Sequence, residues 1–70
     1  MQRIERFETE QHARTRAASR SMSAGEPIIV VESPSDDHPD KPFTVEPYDN
    51  SPLLRSWERE VAVYDRGKPS

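Results

Sequence analysis

Five of the seven prolines lie between Pro27 and Pro47, and this clustering constrains the fold more than any other feature of the 70-residue sequence. Proline has no backbone N–H and its ring restricts the preceding residue, so a regular helix is excluded from this stretch. Residues 24–50 also hold seven acidic residues and one lysine, a net charge of −6. We therefore predict an acidic, proline-rich extended segment over residues 24–50.

Two short runs in this segment favour β structure, Ile28–Val31 and Phe43–Val45. Their β-branched and aromatic side chains are typical of strands. Eleven residues separate the two runs, too many for a tight hairpin. We predict short strands over residues 27–32 and 43–46, each able to pair with the edge of another sheet.

The N-terminal segment, residues 1–23, favours a polar helix. Residues 2–20 contain no glycine or proline and are rich in Glu, Gln, Arg and Ala. Ile4 and Phe7 share one face of such a helix, but the next positions on that face are polar or small. Burial alone would hold this helix weakly.

Residues 51–66 predict an amphipathic C-terminal helix. Pro52 suits the first helical position, and Gly67 can end the helix. The apolar stripe at helical spacing consists of Leu53, Leu54, Trp57, Val61 and Tyr64. The alternative interpretation is a β-strand over residues 60–64.

The apolar content predicts a chain that is poorly folded alone. Leu, Ile, Val and Phe together number 12 of 70 residues. This fraction is below roughly 20%, the level under which chains are typically disordered. So few large side chains release little free energy to offset the entropy of ordering the backbone. We predict a mostly irregular or extended chain with two α-helices and one or two short strands. It would be intrinsically disordered alone, ordered mainly in complex, and would fold upon binding.

Several classes of protein are excluded. The chain has no cysteine, which excludes disulfides and thiolate zinc sites. No apolar run exceeds four residues, so no segment resembles a membrane span or a signal-peptide core. We expect a cytoplasmic or otherwise intracellular protein, or a virion component, and neither secretion nor membrane contact.

No motif indicates catalysis. His12 lies in the polar N-terminal segment, and His38 lies among acids whose spacing does not match a calcium-binding loop. The two glycines are too few for a phosphate-binding loop. We expect no enzyme, no cofactor and no metal site.

A basic stretch within the N-terminal segment, comprising Arg14, Arg16 and Arg20, could neutralise a few phosphates of a nucleic acid. The net charge of the chain is −3, and no aromatic residue alternates with these arginines, so a protein partner is favoured. The alternative is a small regulator, such as an antitoxin or a phage-encoded inhibitor, whose N-terminal helix touches nucleic acid.

The run Ile28–Val31 is followed at once by the serines and acids of residues 33–37. This pattern resembles a SUMO-interacting motif. The resemblance implies that the strand adds to the edge of a partner's sheet, with the aliphatic residues in a groove and Ser33, Ser35, Asp36 and Asp37 on its charged flank. A β-augmentation ligand of the SUMO type is therefore a further alternative.

The preferred hypothesis is a small non-catalytic accessory or adaptor protein. It would bind a larger protein or a multi-subunit complex through an extended strand and a helix anchored by Trp57, because tryptophan is typical of interface anchors. The predicted contact residues are Ile28, Ile29, Val30, Val31, Leu53, Leu54, Trp57, Val61 and Tyr64.

Overall fold

Within the residues that the structure describes, one helix packs across one face of a five-stranded antiparallel sheet. The computed structural model describes residues 4–48 and 54–69. The elements are β1 (Glu5–Phe7), α1 (Glu10–Ala24), β2 (Ile28–Glu32), β3 (Phe43–Pro47), β4 (Arg59–Asp65) and β5 (Lys68–Pro69). The strand order is β1-β3-β2-β4-β5, and every neighbouring pair is antiparallel.

The central strand, β2, explains the most apolar run of the sequence. It pairs with β3 on one side and with β4 on the other, so that Val30 lies between Val45 and Ala62. All four residues of Ile28–Val31 are buried. When both faces of a strand are covered, its sequence is a continuous apolar run and does not alternate between apolar and polar residues.

Helix α1 contacts the sheet through small side chains. Ala13, Ala17 and Ser21 are spaced four residues apart, share one face of the helix, and are completely buried. The two alanines pack with residues of three strands, namely Ile28, Val30, Val45 and Tyr64. Small side chains let the helix approach the sheet closely, so a few β-branched residues and one tyrosine suffice for the core.

The helix begins and ends at residues that satisfy its terminal backbone groups. The Oγ1 of Thr9 accepts a hydrogen bond from the His12 N–H at 3.2 Å, the usual role of an N-cap threonine. At the other end, Gly25 adopts a φ of 67° and donates its N–H to the Ser21 carbonyl. Glycine takes this left-handed conformation at little energetic cost.

The C-terminal region is a hairpin with an irregular first strand. Arg66 and Gly67 form its two-residue turn with φ values of 54° and 82°, the signature of a type I′ turn. Upstream, Val30 pairs with Ala62 while Val31 pairs with Glu60. Val61 is therefore the additional residue of a β-bulge.

The predicted fold class is wrong. The single chain forms a compact sheet with one helix, not a mostly irregular chain with two helices. Intrinsic disorder, folding upon binding and order mainly in complex are contradicted with it. Counting large side chains overlooked the close approach that the buried alanines allow, and it overlooked the backbone hydrogen bonds of five paired strands.

The predicted boundaries also change. The C-terminal part of the predicted helix over residues 51–66 is instead strand β4, which pairs with the apolar central strand through residues such as Val63 and Tyr64. In the N-terminal segment, residues 5–7 form β1 and the helix starts only after Thr9. The strands predicted at residues 27–32 and 43–46 correspond to β2 and β3. Leu53 and Pro52 lie outside the described residues.

Candidate interaction surface

The aliphatic run Ile28–Val31 is not available to a partner. Its backbone is paired on both sides and its side chains are buried. The SUMO-type interpretation requires this strand to add to another protein's sheet, which would mean extracting the central strand from the core. This run acts as the centre of the fold.

The C-terminal contact residues are separated by the fold. Tyr64 is buried against α1, and its hydroxyl accepts a hydrogen bond from the Nη1 of Arg14 at 3.4 Å. Val61 packs at the margin of the core. Leu54 and Trp57 remain exposed, and Leu53 lies outside the described residues. Among the nine predicted contacts, Leu54 and Trp57 are thus the exposed ones that the structure describes.

The arginines of α1 are engaged in ion pairs within the chain. Arg14 contacts Glu10 at 2.8 Å, and Glu5 receives both Arg16 at 3.1 Å and Arg20 at 3.2 Å. The Tyr64 hydroxyl, and after it the Glu10 carboxylate, raise the pKa of the Arg14 guanidinium through hydrogen bonds. Because carboxylates offset these charges, the helix offers a weak field for nucleic acid.

Both edges of the sheet are poor templates for an added strand. At one edge, β1 has three residues, and Glu5 forms the ion pairs described above. At the other edge, β4 carries the bulge at Val61, and β5 brings Lys68 and Pro69. Short strands, charges, prolines and bulges are the features that limit edge pairing. A partner is therefore more readily bound through side chains than through the sheet backbone.

The exposed Trp57 borders a cleft of about 530 Å³ beside the end of β2. The cleft lies among β1, the loop after β2 and the turn before β4. We call it the Trp57 cleft, and its lining includes Arg6, Ser33, Ser35, Asp36, Asp37, Arg55 and Trp57. It combines one large aromatic side chain with charges of both signs.

Trp57 is 57% exposed, although it is the one tryptophan of the sequence. The Arg55 guanidinium carbon lies 5.5 Å from the centre of its ring, within the range of a cation–π interaction. The two side chains thus form a single amphipathic projection above the cleft.

Glu58 connects the turn that carries Trp57 to the sheet. One carboxylate oxygen accepts a hydrogen bond from the Ser33 hydroxyl at 2.6 Å, and the other accepts from the Arg55 N–H at 2.9 Å. The Glu58 N–H donates in return to the Arg55 carbonyl. Hydrogen bonds to the ionised form, first from the Arg55 backbone and then from Ser33, lower the pKa of Glu58.

Ser33 links this turn to the opposite wall of the cleft. Its N–H donates to the Pro42 carbonyl at 2.6 Å, which closes the base of the loop between β2 and β3. Arg6 reaches the same place from β1 and donates to the carbonyls of Ser33 and Lys41. The walls of the Trp57 cleft are therefore joined at one buried serine.

A second groove, of about 750 Å³, runs beside α1 and β1. It is larger than the Trp57 cleft, but its walls are mainly polar helix residues such as His12 and Thr15, and its one aromatic residue, Phe7, is partly buried in the core. The Trp57 cleft is the stronger candidate because it carries an exposed aromatic anchor.

The described residues contain no group of three or more His, Cys, Asp or Glu side chains placed to hold a metal ion. The two histidines lie apart, with His12 exposed on α1 and His38 in the loop between β2 and β3. No helix in this part of the chain has the length and hydrophobicity to cross a lipid bilayer.

Comparisons with protein-family models, with curated proteins and with solved structures gave no match. Sequence reasoning identified Trp57 as an anchor but placed it on a helix. It missed Arg6, Arg55 and Glu58. Arg55 and Glu58 belong to one turn, whereas Arg6 lies near them because β1 and this turn meet at the same end of the sheet.

Proposed function

We propose that this protein is a small non-catalytic accessory protein that binds a larger protein through the Trp57 cleft. The observation that carries the proposal is the exposed Trp57, stacked on Arg55 and held at the sheet by Glu58. Tryptophan and arginine are the residues most enriched among those that dominate binding energy at interfaces.

The hydrogen-bonded turn that carries Trp57 supports this function. A turn whose backbone is already constrained loses less conformational entropy when a partner covers it. Covering the exposed part of the indole ring would also remove apolar surface from water, which is the main favourable contribution to association. A partner that buries this ring therefore gains affinity from one residue.

The charges of the cleft supply orientation. Arg55 lies on one wall, while Asp36 and Asp37 lie on the other without an ion pair among the described residues. Charges of opposite sign on two sides of the cleft favour one orientation of a charged partner over its reverse.

Partner capture with matched variants tests the proposal. The tagged wild-type chain is used to isolate partners from its native source, and the affinity of the purified pair is then measured. Trp57→Ala is expected to weaken binding by about 2–4 kcal/mol. Met22→Ala, which alters a side chain that is also exposed but lies on α1, is the control and should bind as the wild type does. A loss below about 0.5 kcal/mol for Trp57→Ala would reject the cleft as the contact.

A further inference from the structure

The turn that carries Trp57 is joined to the sheet through Glu58. Of the hydrogen bonds within residues 4–48 and 54–69, the one from Ser33 to Glu58 connects the turn to the end of β2. Within the turn, the Arg55 N–H donates to the Glu58 carboxylate and the Glu58 N–H donates to the Arg55 carbonyl. We infer that the ionised Glu58 carboxylate is a latch that fixes Trp57 at its cleft, and that protonation of this carboxyl releases the turn while the sheet stays folded.

The chemistry of the two hydrogen bonds makes the latch depend on charge. An ionised carboxylate only accepts hydrogen bonds, whereas a protonated one places a donor on one of its oxygens. The Arg55 N–H can only donate, so it cannot bond to a protonated oxygen as an acceptor would. The Ser33 hydroxyl could bond to the protonated oxygen only if it changed from donor to acceptor. Bonds to an ionised acceptor are also about twice as strong as those between neutral groups. Protonation therefore weakens both hydrogen bonds to the Glu58 carboxyl group.

The direction of the pH effect follows from the pKa of Glu58. Because the pKa in the folded chain lies below its ordinary value, the carboxylate stabilises the closed turn above the pKa of the unfolded chain. That stabilisation is lost as the pH falls through the lower pKa of the folded chain. The latch is thus closed at neutral pH and opens in acid, at a pH below the ordinary pKa of a glutamate.

Other charged groups face the same region. Arg6 from β1 and Arg55 from the turn favour the ionised carboxylate through their positive charge. Asp36 and Asp37, from the loop between β2 and β3, line the cleft beside Trp57 and are carboxylates as well. A test must therefore separate the proton of Glu58 from the protons of these two aspartates.

Tryptophan fluorescence reports the latch directly, because Trp57 is the only tryptophan. The emission maximum and acrylamide quenching of the wild type are followed from neutral pH into acid, with far-UV circular dichroism recorded in parallel. We expect a one-proton transition in fluorescence, with a midpoint below the ordinary pKa of glutamate and with unchanged circular dichroism. Glu58→Gln should abolish the transition and show quenching at neutral pH that resembles the wild type in acid.

Two further variants sharpen the test. Ser33→Ala removes the hydrogen bond that connects the turn to the end of β2, so the quenching of Trp57 at neutral pH should rise towards that of the wild type in acid, with unchanged circular dichroism. Glu60→Gln alters an exposed carboxylate two residues further along, and it should keep the wild-type midpoint. The double variant Asp36→Asn with Asp37→Asn should keep the transition as well.

The inference is overturned if the transition persists in Glu58→Gln, if it disappears in the double aspartate variant, or if Ser33→Ala leaves the quenching at neutral pH unchanged. It is also overturned if fluorescence and circular dichroism change together, since the whole sheet would then unfold. The latch is a property of the chain alone. A failure of partner binding and a failure of the latch are therefore distinguishable.

Discussion

The face of the sheet under α1 and the turn that carries Trp57 are held in opposite ways. Under the helix, Val30 has hydrogen-bonded neighbours on both sides and a buried alanine face above it. The turn is held by the carboxylate of Glu58, while Trp57 itself faces solvent. The contrast indicates that stability is concentrated in one region and the proposed recognition in another, so substitutions should affect the two properties separately.

The largest loss of stability is expected for Ile28→Ala. Ile28 is fully buried in the core cluster, and such truncations lower the free energy of unfolding by about 2–5 kcal/mol. Urea denaturation of the isolated chain measures the change, with the half-exposed Ile4→Ala as its control. If Ile28→Ala and Ile4→Ala had nearly the same free energy of unfolding, Ile28 would not lie in the core.

Ala17→Leu is expected to have the next largest effect. Ala17 is completely buried where α1 meets the sheet, and additional methylene groups in a packed core destabilise by about 1–3 kcal/mol. The matched change Ala24→Leu, at the exposed end of the same helix, should leave the unfolding midpoint nearly unchanged. If Ala17→Leu left the stability unchanged or raised it, α1 would not pack closely against the sheet at Ala17.

Sequence patterns located the strands of the middle segment because prolines flank β-branched runs there, and that signal is local. They misassigned the C-terminal segment because Leu54, Trp57, Val61 and Tyr64 fall at helical spacing by coincidence. Val61 and Val63 lie in a strand because their segment pairs with the apolar strand β2, which is distant in the sequence.

A local signal for the hairpin was also present. Asp65-Arg66-Gly67-Lys68 has the pattern of a two-residue β-turn, but Gly67 was interpreted as the end of a helix. For the candidate surface, Trp57 was recognised by residue type, whereas the partners of Glu58 were not. Its hydrogen bond to Ser33 joins residues 25 positions apart and follows only from the strand order.

The two glycines form a matched pair for a finer comparison. Both have positive φ, which costs other residues about 1–2 kcal/mol. A Cβ atom added by substitution would have different surroundings at the two positions. At Gly25 it would meet open space, whereas at Gly67 it would lie 2.5 Å from the Cε of Met22.

We therefore expect Gly25→Ala and Gly67→Ala to lower stability by similar amounts, with a small additional loss at Gly67. Thermal or urea unfolding of both variants measures the difference. Adding Met22→Ala to Gly67→Ala should remove the additional loss, because the end of a flexible side chain is the clashing group. A larger loss at Gly25 than at Gly67 would contradict the hairpin geometry.

The smallest change in stability is expected for Trp57→Ala, although Trp57 is the largest side chain in the protein. More than half of it is exposed, and its stacking on Arg55 is worth about 0.5–1 kcal/mol at an exposed site. The free energy of unfolding should fall by less than about 1 kcal/mol. Tyr64→Ala removes an aromatic residue that is buried against α1 and should destabilise the chain far more. If the two variants were equally destabilised, Trp57 would belong to the core, and stability and recognition would not be separable.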